Sequence, residues 1–221
     1  MGKRALIIGG SGLVGRKLLN MLLNGEHYEA VVAVVRAPLH LEHPKLTELI
    51  IDFDQLEQYE RTFSVDDVFC CLGTTIKKAK TQDAMYKIDV EYPLTAAKLA
   101  LRQGARHFLF ISSLGANPDS RIFYSRIKGI AERELRQMAY GSLSILRPSL
   151  LLGDRREYRL GERSAGAIFR ALPFLFTGPL SKYRAIEART VARAMYLLAV
   201  NGSHGTTVYS SRQIEQYAGG A

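Results

Sequence analysis

The chain has 221 residues, 47% of them hydrophobic and 23% charged, with a formal net charge of +9. That is enough for one large domain with a substantial core, and the composition excludes a disordered or fibrous chain. No apolar run reaches membrane-spanning length, and the basic residues are spread along the chain rather than interleaved with aromatics on one stretch, which argues against a nucleic-acid surface.

In chain order, the first predicted element is a strand at 4–8, because the apolar run Ala5-Leu6-Ile7-Ile8 is too short for a helix. Gly9-Gly10-Ser11-Gly12-Leu13-Val14-Gly15 follows, and then a helix over 12–24 with Leu13, Val14, Leu18, Leu19, Leu22 and Leu23 largely on one face. Glycines at a strand-to-helix turn aim backbone N–H groups and the positive end of a helix at a bound anion. Gly9 permits the tight turn, Gly12 the approach of a phosphate, and Gly15 the packing of helix on strand. The spacing is G-x-x-G-x-x-G, and its place between a strand and an amphipathic helix makes it a dinucleotide site. The plainer alternative is a glycine-rich turn without a ligand.

A second strand, predicted at 30–35, ends at Arg36. Sites that prefer NAD carry an acid there, whereas an arginine fits a 2′-phosphate, so NADP(H) is favoured. Arg16 adds positive charge to the same region. A third strand at 47–51 leads into Asp52 and Phe53. Asp52 either accepts from an adenine amino group, with Phe53 flanking the ring, or caps the next short helix. The fourth strand, 66–71, contains the adjacent pair Cys70 and Cys71, read as buried strand residues rather than a disulfide or a metal pair. It runs into Leu72, an apolar wall, and Gly73, which permits close backbone approach to a cofactor.

A long helix is predicted over 82–103, with Pro93 marking a start or a kink. The fifth strand, 106–111, ends in Ser112 and Ser113, and a helix over 124–139 follows. Tyr124 and Lys128 stand at i and i+4 on its face. An ammonium beside a phenol favours the phenolate, so Tyr124 can give a proton to a carbonyl oxygen or take one from an alcohol. Lys128 can also hold ribose hydroxyls. Ser113 can orient the same oxygen; Ser112 competes for that role, and Ser113 is preferred as farther beyond the strand end.

The sixth strand, 143–148, precedes Arg155, Arg156, Arg159 and Arg163, of which Arg159 is the favoured contact to cofactor phosphates or an anionic substrate. Residues 153–185 are expected to form a small substrate-side lid, with a helix at 164–171. Helices at 189–200 and 211–217 flank a last strand at 206–209. Gly25, Gly104 and Gly141 are expected to end three helices. The alternation predicts an α/β fold: a doubly wound parallel sheet with helices on both faces, as a single domain over 1–221. The chain runs directly into a strand, so no signal peptide is expected and a cytoplasmic location is.

Taken together these residues resemble the short-chain dehydrogenase/reductase superfamily, in its atypical branch with G-x-x-G-x-x-G. Within it the chain looks most like the Tat-interacting-protein-like (CC3) oxidoreductases. The likeness runs from Gly9 to about Leu198 and is densest over 69–75, 112–129 and 147–159. It implies a Rossmann-like fold that binds NADPH, with Ser11, Gly12, Leu13 and Val14 on the phosphates and Arg36 on the 2′-phosphate. Leu72 and Gly73 would lie on the adenosine side, Tyr124 and Lys128 on the nicotinamide ribose, and Leu151 and Arg159 nearby. Where relatives can carry a second basic residue after the strand-two arginine this chain has Ala37, so the NADP preference rests on Arg36. Two activities are compatible with this reading. One is NADPH-dependent reduction of a small-molecule carbonyl, or oxidation of an alcohol, by Ser113, Tyr124 and Lys128. The other is an NADPH-bound sensor that signals through a protein partner with little turnover. The intact Ser-Tyr-Lys set favours the first. No metal or membrane is expected as a partner.

Overall fold

The central strands carry apolar side chains in both directions, and a strand of that kind is stable only when both faces of its sheet are covered. The structure, a computed structural model, describes residues 2–153 and 185–219. Among these the chain forms β1 (Lys3–Ile8), β2 (Tyr28–Val35), β3 (Leu46–Ile50), β4 (Asp67–Cys70), β5 (His107–Ile111), β6 (Ser142–Arg147), β7 (Leu151–Leu152), β8 (Ile186–Glu187) and β9 (Gly205–Ser210). Seven of them make one sheet in the order β3-β2-β1-β4-β5-β6-β9, every neighbouring pair parallel. β7 and β8 pair separately.

The alternation of side chains assigns residues to two cores. Ala5, Ile7, Val31, Ala33, Phe69 and Leu109 face one side, against α1 (Leu13–Asn24), α6 (Ala188–Asn201) and α7 (Ser211–Gly219). Leu6, Ile8, Val32, Val34, Val68, Phe108 and Phe110 face the other, where the 3-10 segment Phe53–Phe63, α4 (Tyr92–Arg102) and α5 (Phe123–Arg136) supply the cover. This is the expected doubly wound Rossmann-like architecture. The strand order reverses direction at β1 and β4, so the crevice beyond their carboxyl ends is where such a sheet takes its ligand.

The elements that differ from expectation are short or irregular. The helix predicted over 82–103 is three pieces: α3 (Gln82–Tyr86), a π-helical turn (Lys87–Glu91) and α4. Pro93 is the second residue of α4, which directly follows the π-helical turn, so it stands at an irregularity of the helix. The short helix after Asp52 is the 3-10 segment, while the single turn α2 (Ile76–Ala79) and the β7–β8 ribbon were not expected. Gly25 and Gly104 close α1 and α4, with Gly104 at φ +91. Gly141 has a different place: α5 stops at Arg136, and Gly141 starts the β6–β9 ladder by accepting from Gly205 N at 2.8 Å. The helix expected at 164–171 lies outside the described residues, as does all of the 153–185 segment except its two ends.

At the opposite end of the strands from the crevice, His107 opens β5 and its Nε2 lies 2.9 Å from Ser144 Oγ. Burial, with Lys3 nearby, pulls its pKa from 6.5 down to about 4. A base with a lowered folded-state pKa takes up its proton preferentially when unfolded, so the fold loses stability as pH falls from 6.5 toward 4. The expected loss is at most about 3 kcal/mol between pH 7 and pH 4. Urea unfolding at the two pH values should show it in the wild type and show less of it in His107→Gln.

Candidate active site

The glycine turn is built by contact. Gly9 has φ +85, and a Cβ there would stand 2.7 Å from the Cys71 carbonyl carbon and 2.9 Å from Leu72 N. Gly12 N donates to Gly9 O at 3.0 Å, closing the turn. A Cβ on Gly15 would lie 2.2 Å from the same Gly9 oxygen, so α1 sits against the turn with no room for a side chain. Gly12 is the N-cap of α1, and it offers no side-chain cap and no acid in the first turn. The N–H groups of that turn therefore face an exposed rim formed by Ser11 and Gly12. Leu13 is half-buried and Val14 buried, so Val14 can offer only its backbone to a phosphate. The β7–β8 ribbon brings half-buried Leu151 to this region, because Gly153 packs on Leu13, its Cβ position 2.8 Å from Leu13 Cδ1.

Arg36 is exposed at the end of β2, its guanidinium 5.9 Å from the Phe53 ring centroid. Phe53 is buried and stacks edge-on with Tyr92, ring centroids 5.5 Å apart, so it supports Arg36 from below. Of the two expectations for Asp52, the cap is the one the geometry shows: its Oδ1 accepts from Asp54 N at 3.0 Å. Asp54 is itself held by Lys87 and by the Tyr92 hydroxyl. The Leu72 side chain is 8% exposed and belongs to the core, leaving the backbone at Leu72 and Gly73 as the surface.

The two serines after β5 are separated by their partners. Ser112 Oγ donates to Glu132 Oε1 at 2.5 Å, and Glu132 is gripped by Arg147 through Nε at 2.9 Å and Nη2 at 2.6 Å. Ser112 is thus tied into a structural cluster that joins β5, α5 and β6. Ser113 sits between two backbone anchors, Ser112 N to Leu146 O at 2.8 Å and Leu114 N to Pro148 O at 2.9 Å. Its Oγ is buried with no hydrogen-bond partner among the described residues.

On α5, Tyr124 is 39% exposed, while Lys128, one turn on, is buried. Lys128 Nζ lies 2.8 Å from Asp89 Oδ1 and donates to Ile111 O at 3.3 Å. Burial alone pulls the Lys128 pKa down, but the Asp89 carboxylate, with Tyr124 behind it, outweighs burial and the net direction is up. The ammonium therefore stays charged. Asp89 was not foreseen: it comes from the π-helical turn, and its only sequence signal is an acid inside an otherwise apolar helical face. Cys70 is buried and its thiol is pushed up to about 12 by desolvation, and Cys71 is raised as well, so neither is a nucleophile. Arg155, Arg156, Arg159 and Arg163 lie outside the described residues.

A glycine turn at a topological switch point, with a Ser/Tyr/Lys group beyond the fifth strand, defines a class of nucleotide-binding α/β protein. The family model for the NAD dependent epimerase/dehydratase family matches residues 5–209, and the chain belongs to that family. Among curated proteins it is similar to Protein HTATIP2 of Rattus norvegicus, 36% identical over 197 residues, covering 87% of this chain and 79% of the relative. It is also similar to Protein FMP52, mitochondrial, of Debaryomyces hansenii, 30% identical over 201 residues, 88% of this chain and 87% of the relative. Among solved structures, the Bordetella bronchiseptica enzyme WbmH in complex with NAD+ superposes with a TM-score of 0.72 at 16% identity, over 96% of this chain and 76% of that one. A putative NAD-dependent epimerase/dehydratase from Bacillus halodurans gives 0.69 at 21% identity, over 97% and 100%.

The relatives correct one expectation. Several fungal relatives are named as mitochondrial proteins, so the cytoplasmic location is not upheld. That expectation leaned on a chain running straight into a strand, and a doubly wound sheet suits any aqueous compartment. No helix among the described residues is long and apolar enough to cross a membrane.

The serine geometry gives a paired prediction. Ser112→Ala removes a hydrogen bond to a buried carboxylate and should lower stability by about 1.5–3 kcal/mol. Ser113→Ala removes a hydroxyl that has no partner among the described residues and should leave stability within about 0.5 kcal/mol of the wild type, or raise it. Denaturant unfolding of the two variants side by side checks both. In a third variant, Gly15→Ala, the clash with Gly9 O should cost at least the roughly 1–3 kcal/mol of ordinary overpacking.

Proposed function

We propose that the protein is an NADPH-dependent oxidoreductase that reduces a carbonyl substrate. What supports this is Tyr124 and Lys128 one turn apart on α5, Lys128 buried and charged, together with Ser113 just past the end of β5, its hydroxyl without a partner among the described residues.

The residues present fit the dinucleotide. The glycine turn is closed so tightly that a Cβ at Gly9 or Gly15 would collide with backbone, and the helix N-terminus above it has an exposed rim and no side-chain cap. Arg36 makes no ion pair among the described residues and replaces the acid that would repel a 2′-phosphate, which supports NADPH over NADH. Ser11, Gly12, Leu13 and Val14 would hold the phosphates, Gly73 and Leu72 would approach the adenosine side through their backbone, and Leu151 would flank the site. Lys128 would hold the nicotinamide ribose. Bound NADPH supplies the hydride that reaches the carbonyl carbon.

The remaining chemistry belongs to the chain. Ser113 Oγ donates to the substrate carbonyl oxygen and fixes its direction. Tyr124 donates its phenolic proton to that oxygen as negative charge develops there. Lys128, one turn away, favours the phenolate that is left. Solvent can return the proton to Tyr124 because its side chain is partly exposed.

Titration of the purified protein with NADPH and NADH, followed by nucleotide fluorescence, tests the cofactor. NADPH should bind the more tightly, and Arg36→Ala should weaken NADPH at least about tenfold, the loss of a charge-assisted contact, while leaving NADH unchanged. Tyr124→Phe should keep NADPH binding and lower turnover of a responsive carbonyl by about 100-fold or more. Binding of neither nucleotide, or full turnover in Tyr124→Phe, would overturn the reading.

A further inference from the structure

Lys128 and Asp89 form a buried ion pair, at 2% and 0% side-chain exposure. Such a pair is weak evidence for stability, because apolar residues of similar volume usually serve a core as well or better. Its surroundings are those of a site. The Asp89 carboxylate also accepts from Thr74 N at 3.0 Å, so one side chain fixes both the loop after β4 and the lysine on α5. The segment that delivers it is a π-helical turn, a form found mostly at functional positions. Gly73 covers the pair with its side-chain position empty: a Cβ there would stand 3.6 Å from Asp89 Oδ1 and 3.7 Å from Lys128 Nζ. An ammonium has three N–H donors. One meets Asp89 and one meets Ile111 O, and among the described residues the third has no acceptor.

We infer that Asp89 is a positioning residue: it acts through Lys128, keeping a buried ammonium charged and aimed so that its third N–H is held for a hydroxyl of the bound ligand. This rests on the NADPH reading for the identity of the ligand, whose ribose supplies hydroxyls of that kind. The groups that face Lys128 are few. Tyr124 approaches from its own helix, the Phe110 ring lies 5.1 Å from Nζ on β5, and Cys70 approaches from β4 with its thiol kept neutral by burial. Among the described residues Asp89 is the carboxylate that opposes desolvation. Without it the largest interaction opposing burial is gone, and Lys128 releases its proton at a lower pH.

The test uses the intact protein, without ligand and with NADPH. In Asp89→Asn the folded state holds Lys128 neutral while the unfolded chain protonates it below about pH 10.4. Stability then rises with pH, since the unfolded state binds more protons. The gap in unfolding temperature between wild type and Asp89→Asn should therefore be widest near pH 6 and narrow toward pH 10. NADPH affinity of Asp89→Asn should fall about tenfold or more by pH 8, the loss of a hydrogen bond to a charged group, with a smaller loss at pH 6. The double variant Asp89→Asn/Lys128→Met removes both charges. It should unfold near the wild-type temperature at every pH and bind NADPH weakly at every pH.

A gap that does not change with pH, or wild-type NADPH affinity in Asp89→Asn at pH 8, would overturn the inference. If Asp89→Asn does not fold, the double variant decides: folding of the double variant supports an uncompensated ammonium as the cause, and its failure to fold makes the pair structural. If the wild type binds no NADPH the functional reading fails, and the unfolding profile still decides whether Asp89 holds the charge on Lys128.

Discussion

A sheet with no wet face can show polar groups only where its strands stop. The central strands here are apolar on both sides, and helices cover both. Water, ligands and charged side chains are thereby confined to the two ends of the strands. One end carries the His107 cluster, with Ser144 and Ser203, which serves packing. The other carries the glycine turn, Arg36, Ser113 and the Lys128–Asp89 pair. The position of the chemistry follows from the burial of the scaffold before any residue of the site is considered.

Within that frame the site is assembled by steric closeness as much as by charge. Gly9 lets the turn lie against the Cys71–Leu72 peptide, and Gly15 lets α1 lie against the turn. A similar closeness recurs on α5, where a Cβ on Gly129 would collide with the Asn117–Pro118 peptide at 2.2 Å. The loop that follows Ser113 is pressed onto the helix that carries Tyr124 and Lys128. Glu132, engaged by Ser112 and Arg147, ties the same helix to the ends of β5 and β6. Ser113 is thereby left with a fixed backbone and an uncommitted hydroxyl.

Much of this was legible in the sequence because it is local. The run Ala5 to Gly15 states a strand, a turn and a helix start within eleven residues, and Tyr124 and Lys128 are one helical turn apart. What could not be read depends on contacts between distant segments. Nothing near Ser112 says that Glu132 will bind it, so the two serines look equivalent until α5 is in place. Asp89 meets Lys128 across 39 positions, and its neighbours read as continuous helix. Phe53 looked available to stack on a base because its sequence neighbours are polar, yet Tyr92 and the second core claim it. Gly141 carried the composition of a helix stop, but α5 had already ended five residues earlier and the glycine serves the sheet.

The π-helical turn at Lys87–Glu91 makes chain length itself a carrier of information. A wide turn holds one residue more than the α-helical turn it replaces, and each helical residue advances the side chains by about 100°. That extra residue sets the rotational phase between Asp89, which faces α5, and Ala96, Ala97 and Ala100, which face the sheet. Deleting a single position there would leave every other residue type in place and still disengage one face from its partner. Sequences descended from this one can exchange side chains along α4 more freely than they can gain or lose a residue before it.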